Sequence, residues 1–168
     1  MNPPSLRRRI AIQTQDFVLQ TELDDLCQGD VATGAVTSFV GLVRAWGEGS
    51  EVLELEHYPG MTERSIDQMI DEAARRFDIR GVCVIHRVGR LTPGEQIVLV
   101  AVTSSHRRAA FEACEFLMDW LKTQAPFWKK EITAGVGRWV DAREQDDAAL
   151  ARWGDLPGAV ANAHAQRG

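Results

Sequence analysis

The stretch at residues 82–103, VCVIHRVGRLTPGEQIVLVAVT, decides the fold. Its two ends, VCVIHRV and QIVLVAVT, are apolar at consecutive rather than alternate positions, so each places hydrophobic side chains on both faces of a strand and belongs inside a sheet. Between them, Thr92-Pro93-Gly94-Glu95 joins a fixed proline φ to a permissive glycine, as a tight reversal requires. Two central antiparallel strands follow, and the flanking sequence has to cover them.

Upstream, Ile66, Met69, Ile70, Ala73 and Phe77 recur at helical spacing, which predicts an amphipathic helix over 62–77 with Glu63 at the positive end of its dipole. Before it, Leu53 and Leu55 alternate with Glu54 and Glu56, the mark of a half-exposed strand. GAVTSFVGLV at 34–43 is expected to be its hairpin partner across the loop RAWGEGS. Downstream, a second helix is expected over 106–124, ended by Pro126, which cannot continue the hydrogen-bond ladder and holds Ala125 extended. A strand over 127–133 and a short element over 137–140 follow. That order predicts an α+β fold, a mostly antiparallel sheet with covering helices. Residues 1–9, rich in Pro and Arg, and 154–168, rich in Gly and Ala, read as flexible extensions around a single domain over 10–153.

The totals bound the chemistry. A chain of 168 residues that is 45% hydrophobic can bury a core without disulfides or metals. Its 19 basic against 24 acidic residues argue against a protein devoted to nucleic-acid phosphates. Cys27, Cys83 and Cys114 form no paired spacing, which fits a reducing cytoplasm and argues against a zinc site. The longest apolar run, 97–102, is too short to span a bilayer, and Glu112, Glu115 and Asp119 on the second helix oppose binding to anionic lipid. The expected compartment is the cytoplasm, with neither membrane nor nucleic acid as partner.

Within an acidic chain, basic residues gather at both ends of the second helix. At its start, Ser104 or Ser105 is expected to cap a first turn holding His106, Arg107 and Arg108, cations where the dipole prefers acids. They are either solvated side chains or an anion site for phosphate or carboxylate. At its end, Lys122 stands one turn after Met118, and Lys129 and Lys130 return beyond Pro126. Strand alternation puts 127, 129 and 131 on one face and 128 and 130 on the other, so Lys129 and Lys130 cannot share a site. A lysine stem sunk among Met118, Phe127 and Trp128 would lose hydration, which favours the neutral nucleophilic amine. Arg44 heads the RAWGEGS loop as a candidate clamp or a plain surface arginine, and Arg143 is similar. His57, His86 and Cys114 read as core residues. No nucleophile elbow, P-loop, G-x-G-x-x-G or H-E-x-x-H is present, so an enzyme built on this chain would work through cations and a lysine amine.

GAVTSFVGLVR, LELEHYPGMTE, VIHRVGRLTPGE, VAVTSSHRRAAFEACEFLMDWLKTQAPFWKKE and RWVDARE, in this order and spacing, resemble the large, catalytic subunit of molybdopterin synthase over residues 33–153. Leu42 stands where that family more often has a basic residue. The resemblance implies an α/β hammerhead fold and conversion of cyclic pyranopterin monophosphate (precursor Z) to molybdopterin, the sulfur arriving as a thiocarboxylate on the C-terminal Gly-Gly of a small ubiquitin-like partner. It implies a heterotetramer built on a homodimer of large subunits, and neither cofactor nor metal. It assigns Lys122 and Lys129 to catalysis and Phe39, Arg44, His106, Arg107, Met118 and Arg143 to the substrate pocket, some across the dimer interface. The alternative from another class is a non-catalytic module that captures an anionic ligand or a partner's tail.

Overall fold

A computed structural model describes residues 5–140 and 144–157. The chain runs β1 (Arg7–Gln13), α1 (Leu19–Cys27), β2 (Ala35–Leu42), β3 (Ser50–His57), α2 (Met61–Arg76), β4 (Gly81–Arg87), β5 (Gly89–Leu91), β6 (Gln96–Ser104), α3 (Arg107–Thr123), β7 (Phe127–Thr133), β8 (Val136–Trp139) and α4 (Glu144–Ala151). The strands form two four-stranded sheets, ordered β1-β4-β6-β2 and β5-β3-β7-β8. All pairings are antiparallel except β1 with β4, so the α+β, mostly antiparallel expectation holds.

The opening hairpin is the centre of the first sheet. β4 and β6 pair from Gly81↔Thr103 to His86↔Val98, and every residue of β4 is buried. Because both faces are apolar, two clusters form. Val82, Val84, Val98, Val100 and Val102 join Ile66 and Ile70 of α2 and Phe116, Leu117 and Leu121 of α3. On the reverse face Cys83, Ile85, Leu99 and Ala101 pack with Phe17 and with Leu26 of α1. Leu53, Leu55 and Leu91 of the second sheet enter the first cluster, which ties the sheets into one core.

Three expectations are corrected, and two helices are added. β2 and β3 are not a hairpin: β2 pairs with β6 along Ala35↔Ser104 to Leu42↔Gln96, and β3 lies between β5 and β7 in the other sheet. A Gly-rich loop between neighbouring strands looks like a hairpin turn, but the two-faced apolar surface of β6 is the better partner for β2. Arg7–Arg9, assigned to a flexible extension, lie in β1. Each is drawn in by a distant partner: Arg7 donates to the Leu26 carbonyl at 3.3 Å, Arg8 meets Asp67 at 2.9 Å and Asp71 at 2.5 Å, and Arg9 meets Glu22 at 2.6 Å. α1 and α4 are additions to the expected elements; α1 starts at Val18 without a side-chain cap, and the sequence of α4 carries no helical apolar period, although its Leu150 packs on the core. Beyond Trp153 the chain is still held, since Arg76 donates to the carbonyls of Trp153 at 2.6 Å and Asp155 at 3.1 Å and Leu156 packs on the core. Residues 158–168 of the expected tail lie outside the described residues.

Candidate functional site

The corner between α3 and β7 is built by its sequence. α3 buries Ala113, Cys114, Leu117, Met118 and Leu121 on one face, which leaves Lys122 exposed in the last turn. The Gln124 N–H closes the helix on the Trp120 carbonyl at 2.8 Å, Pro126 prevents a further turn, and β7 begins with Phe127. Along β7 the alternation holds. Phe127 is opposite His57 and Lys129 opposite Leu55, on the face that packs toward the core, while Trp128 and Lys130 are opposite Glu56 and Glu54 on the outer face. Lys130 is not merely solvated, as its position suggested. Its ammonium lies 5.6 Å from the centre of the Trp139 ring, over Gly137, where a Cβ would come within 2.2 Å of the lysine Cε.

Two residues that sequence reasoning did not assign to the site hold this corner. Thr62, fully buried at the start of α2, donates from its hydroxyl to the Pro126 carbonyl at 3.3 Å. His86, buried on β4, stacks on Phe127 with ring centres 3.9 Å apart and planes at 22°. Burial pushes its pKa down to about 4, and the nearby charges of Lys129 and His57 push the same way, against the bond that its Nδ1 makes to the Arg87 carbonyl at 2.8 Å. No local signal in the sequence reveals either role, because the partners are 64 and 41 positions away.

Across the first sheet, His86, Val98 and Gly41 form one row. Neighbouring strands are about 4.8 Å apart, so this row carries the site from β4 to the β2 edge within about 10 Å. Phe39, partly exposed, lies two residues before Gly41 on the same face and opposite Val100. A Cβ on Gly41 would come within 3.3 Å of the Phe39 ring and 2.6 Å of Val98 Cγ1, so glycine here lets that ring lie along the strand. Beyond β2, Val43 is buried and bonded on both sides, its N–H to the Glu95 carbonyl at 2.8 Å and its carbonyl to the Gly94 N–H at 2.7 Å. Arg44 is thus the first exposed residue past a fixed anchor.

Met118 and Lys122 lie in the second half of α3, Lys129 on β7, Phe39 on β2 and Arg44 just beyond it. His106 and Arg107 are elsewhere. They lie at the opposite end of α3, sixteen residues from Lys122 or about 24 Å at the helical rise. The expected serine cap is also different: His106 takes the cap position without a side-chain bond, and the Ser104 hydroxyl accepts from the His106 N–H at 3.2 Å while donating to the Asp78 carbonyl at 2.6 Å. Arg143 lies outside the described residues; Val140, the last described residue before it, donates to the Lys129 carbonyl at 2.9 Å.

Charge pairing divides the basic residues into two groups. Arg9, Arg80, Arg108 and Arg152 are tied to carboxylates. Among the described residues the side chains of Arg44, His106, Arg107 and Lys122 make no hydrogen bond or ion pair, and Arg64 and Arg138 share that condition. The burial expected around the lysine stems is not realised at Lys122, which is exposed in the single chain. No cluster of three or more His, Cys, Asp or Glu side chains among the described residues could hold a metal ion. Cys83 and Cys114 are buried, with thiols pushed up to about 12, so neither is poised as a nucleophile. The candidate residues that remain are the cations Lys122, Lys129 and Arg44, with Phe39 and Met118 as apolar companions.

The MoaE protein family matches residues 12–124, a segment that takes in β2 to β6, α3 and Lys122 and ends before β7. The chain belongs to that family. It is 54% identical over 159 residues to a molybdopterin synthase catalytic subunit of Ralstonia nicotianae, covering 94% of this chain and 90% of that protein. Among solved structures, the molybdopterin biosynthesis MoaE protein from Burkholderia ambifaria superposes with a TM-score of 0.77 at 53% identity, over 89% of this chain and 99% of that one. The crystal structure of molybdopterin synthase from Staphylococcus aureus gives 0.70 at 32% identity, over 79% and 96%. The MoaE fold is therefore that of this chain. No helix among its described residues is long and apolar enough to cross a membrane.

Proposed function

We propose that this MoaE protein is the catalytic subunit of molybdopterin synthase, acting in the cytoplasm. It moves sulfur from the C-terminal thiocarboxylate of a small ubiquitin-like partner to precursor Z, forming the dithiolene of molybdopterin. The observation that carries the reading is the Pro126 corner, which sets Lys122 and Lys129 on either side of an apolar bend. Every reactant is anionic, the thiocarboxylate and the cyclic phosphate alike, and attack on the acyl or pterin carbon develops further negative charge. Cations held by a rigid helix and strand stabilise that charge without reorganising.

Lys122, exposed on the last turn of α3, is the group that reaches the reacting carbon or the partner's carboxyl, as a charge stabiliser or a transient amine. Lys129, on the core-facing side of β7, holds substrate and developing charge. Arg44 closes on the anion from the loop after β2, and Phe39 and Met118 supply apolar walls for the pterin. Arg143 completes the pocket. His106 and Arg107, about 24 Å along α3 from Lys122, serve the pocket of the second large subunit, where they bind phosphate or pterin. A homodimer inside a heterotetramer accounts for this separation.

The test is reconstitution of the heterotetramer with thiocarboxylated partner and precursor Z, followed by measurement of molybdopterin. Lys122→Ala and Lys129→Ala should each lower turnover by at least tenfold with partner binding intact, while Lys130→Ala stays within about twofold. Full activity in Lys122→Ala would overturn its assignment. Loss of complex formation in Lys129→Ala would make that residue a docking group instead.

A further inference from the structure

In a strand otherwise composed of Gly, Val, Cys, Ile and Arg, His86 is the one imidazole, and it is buried. An imidazole here has to satisfy a polar nitrogen away from water, so its presence calls for a reason. The geometry gives one. Nδ1 lies 2.8 Å from the Arg87 carbonyl, which only accepts, so Nδ1 carries the proton and the ring plane is fixed by a bond within β4 itself. That fixed plane is laid against Phe127, the first residue of β7. Phe127 and Lys129 are two apart on the same face of β7, and β4 and β7 belong to different sheets. The stack is therefore a direct bridge from the centre of the first sheet to the strand that carries Lys129.

We propose that His86 is a positioning residue for Lys129: a flat ring, locked by the Arg87 carbonyl, that sets Phe127 and with it the placement of the Lys129 ammonium. This rests on the reading of Lys129 as a site residue. The charged and titratable groups facing the ring are Lys129 from β7 and His57 from β3, both basic. Arg87, its neighbour on β4, is turned away and engaged by the Thr14 and Gln96 carbonyls and by Glu95. A cation at His86 would thus face other cations, and the ring works as a neutral plate. A leucine could fill the volume but has no plane to align Phe127.

The experiment compares His86→Leu, His86→Phe and Lys129→Ala in the reconstituted heterotetramer, with turnover expressed per folded complex and KM for precursor Z measured alongside. Lys129 reactivity toward acetic anhydride is read by mass spectrometry, with Lys130 as internal reference. His86→Leu should lower kcat by about tenfold with KM changed less than threefold, and should alter the Lys129 to Lys130 labelling ratio at least twofold. His86→Phe, which keeps a stacking ring, should restore both to within about threefold of wild type. Wild-type kcat and labelling ratio in His86→Leu would overturn the proposal, as would a His86→Phe as impaired as His86→Leu. If His86→Leu does not fold, His86→Met against His86→Phe carries the same contrast between an apolar filler and a ring. Full activity in Lys129→Ala would instead sink the assignment of Lys129, whatever His86 does.

Discussion

The hydroxyl of Thr62 links the start of α2 to the bend that carries the two lysines: it donates to the Pro126 carbonyl at 3.3 Å and accepts from the Tyr58 N–H at 3.3 Å. One buried hydroxyl thus satisfies two backbone groups in different parts of the chain. Thr62→Val keeps the shape and leaves both groups without this partner, at a cost of about 1–3 kcal/mol. For a chain of this size that is a fall in Tm of roughly 2–12 °C. Thr62→Ser should recover most of it in a thermal melt. Under the proposed function, Thr62→Val should also lower turnover per folded complex, because the corner loses a tether on the helix side.

Gly41 sets the space at the β2 edge. A Cβ there would meet Val98 Cγ1 at 2.6 Å and the Phe39 ring at 3.3 Å, and Val98 is held between β4 and β2 with little freedom to give. Gly41→Ala should therefore displace the Phe39 ring and cost about 1–3 kcal/mol, the usual penalty of overpacking. Denaturant unfolding measures the second effect, and a rise in KM for precursor Z measures the first. A Gly41→Ala protein with unchanged stability and KM would show that this close approach has no consequence.

How much of this was legible in the sequence follows from where each residue's partner lies. The two long helices, the central strands and the lysine corner were read correctly because their signals are local: helical spacing, two-faced apolar runs, and Pro126. Arg7–Arg9 misled for the opposite reason. Three consecutive arginines look like a solvated tail until Glu22, Asp67 and Asp71 are brought beside them by the fold. The pairing of β2 was misread because adjacency in sequence suggests a hairpin, whereas its true partner β6 is some sixty residues on. The opposite alternation of Lys129 and Lys130 was legible from strand period alone, but the Trp139 ring under Lys130 was not. Thr62 and His86 were invisible as site residues, since a buried threonine and a strand histidine acquire meaning only through Pro126 and Phe127.

The C-terminal junction offers a separate test. Asp119 on α3 accepts from Trp153 Nε1 at 2.7 Å and from Arg152 at 2.8 Å, and the Trp153 ring meets Phe77 and Phe116 edge to face at 5.9 and 5.4 Å. Trp153→Ala removes this partly buried aromatic cap and the neutral half of the Asp119 pairing. We expect a loss of about 2–3 kcal/mol in denaturant unfolding, less than a fully buried tryptophan would give. Arg152→Ala, which removes partly exposed ion pairs to Asp119 and Glu115 and the guanidinium over the Trp153 ring, should cost about 1 kcal/mol. Equal effects of the two would mean that charge, not the ring, fastens the segment.

Acid stability should fall in two stages with different owners. His86 titrates near 6.5 when unfolded and is pushed down to about 4 in the fold, chiefly by burial. Between those values the unfolded chain holds a proton that the folded chain does not, so stability declines as pH drops from 6.5 to 4, by up to about 1.4 kcal/mol per unit. Glu72 works from the other sign. Its carboxylate, buried beside Arg75 and Arg76, is held down to about 2, first by the hydrogen bond from Arg75, against an ordinary value of 4.5. Its contribution is fully present above pH 4.5 and is lost as pH falls toward 2. Between pH 6.5 and 4.5 the decline belongs to His86 rather than Glu72. His86→Phe should accordingly flatten the stability profile there and leave the steeper fall below 4.5 in place, whereas Glu72→Gln should do the reverse. Urea unfolding at pH 7, 5.5, 4.5 and 3.5 separates the two; an unchanged slope between 6.5 and 4.5 in His86→Phe would show that the imidazole is not held neutral by the fold.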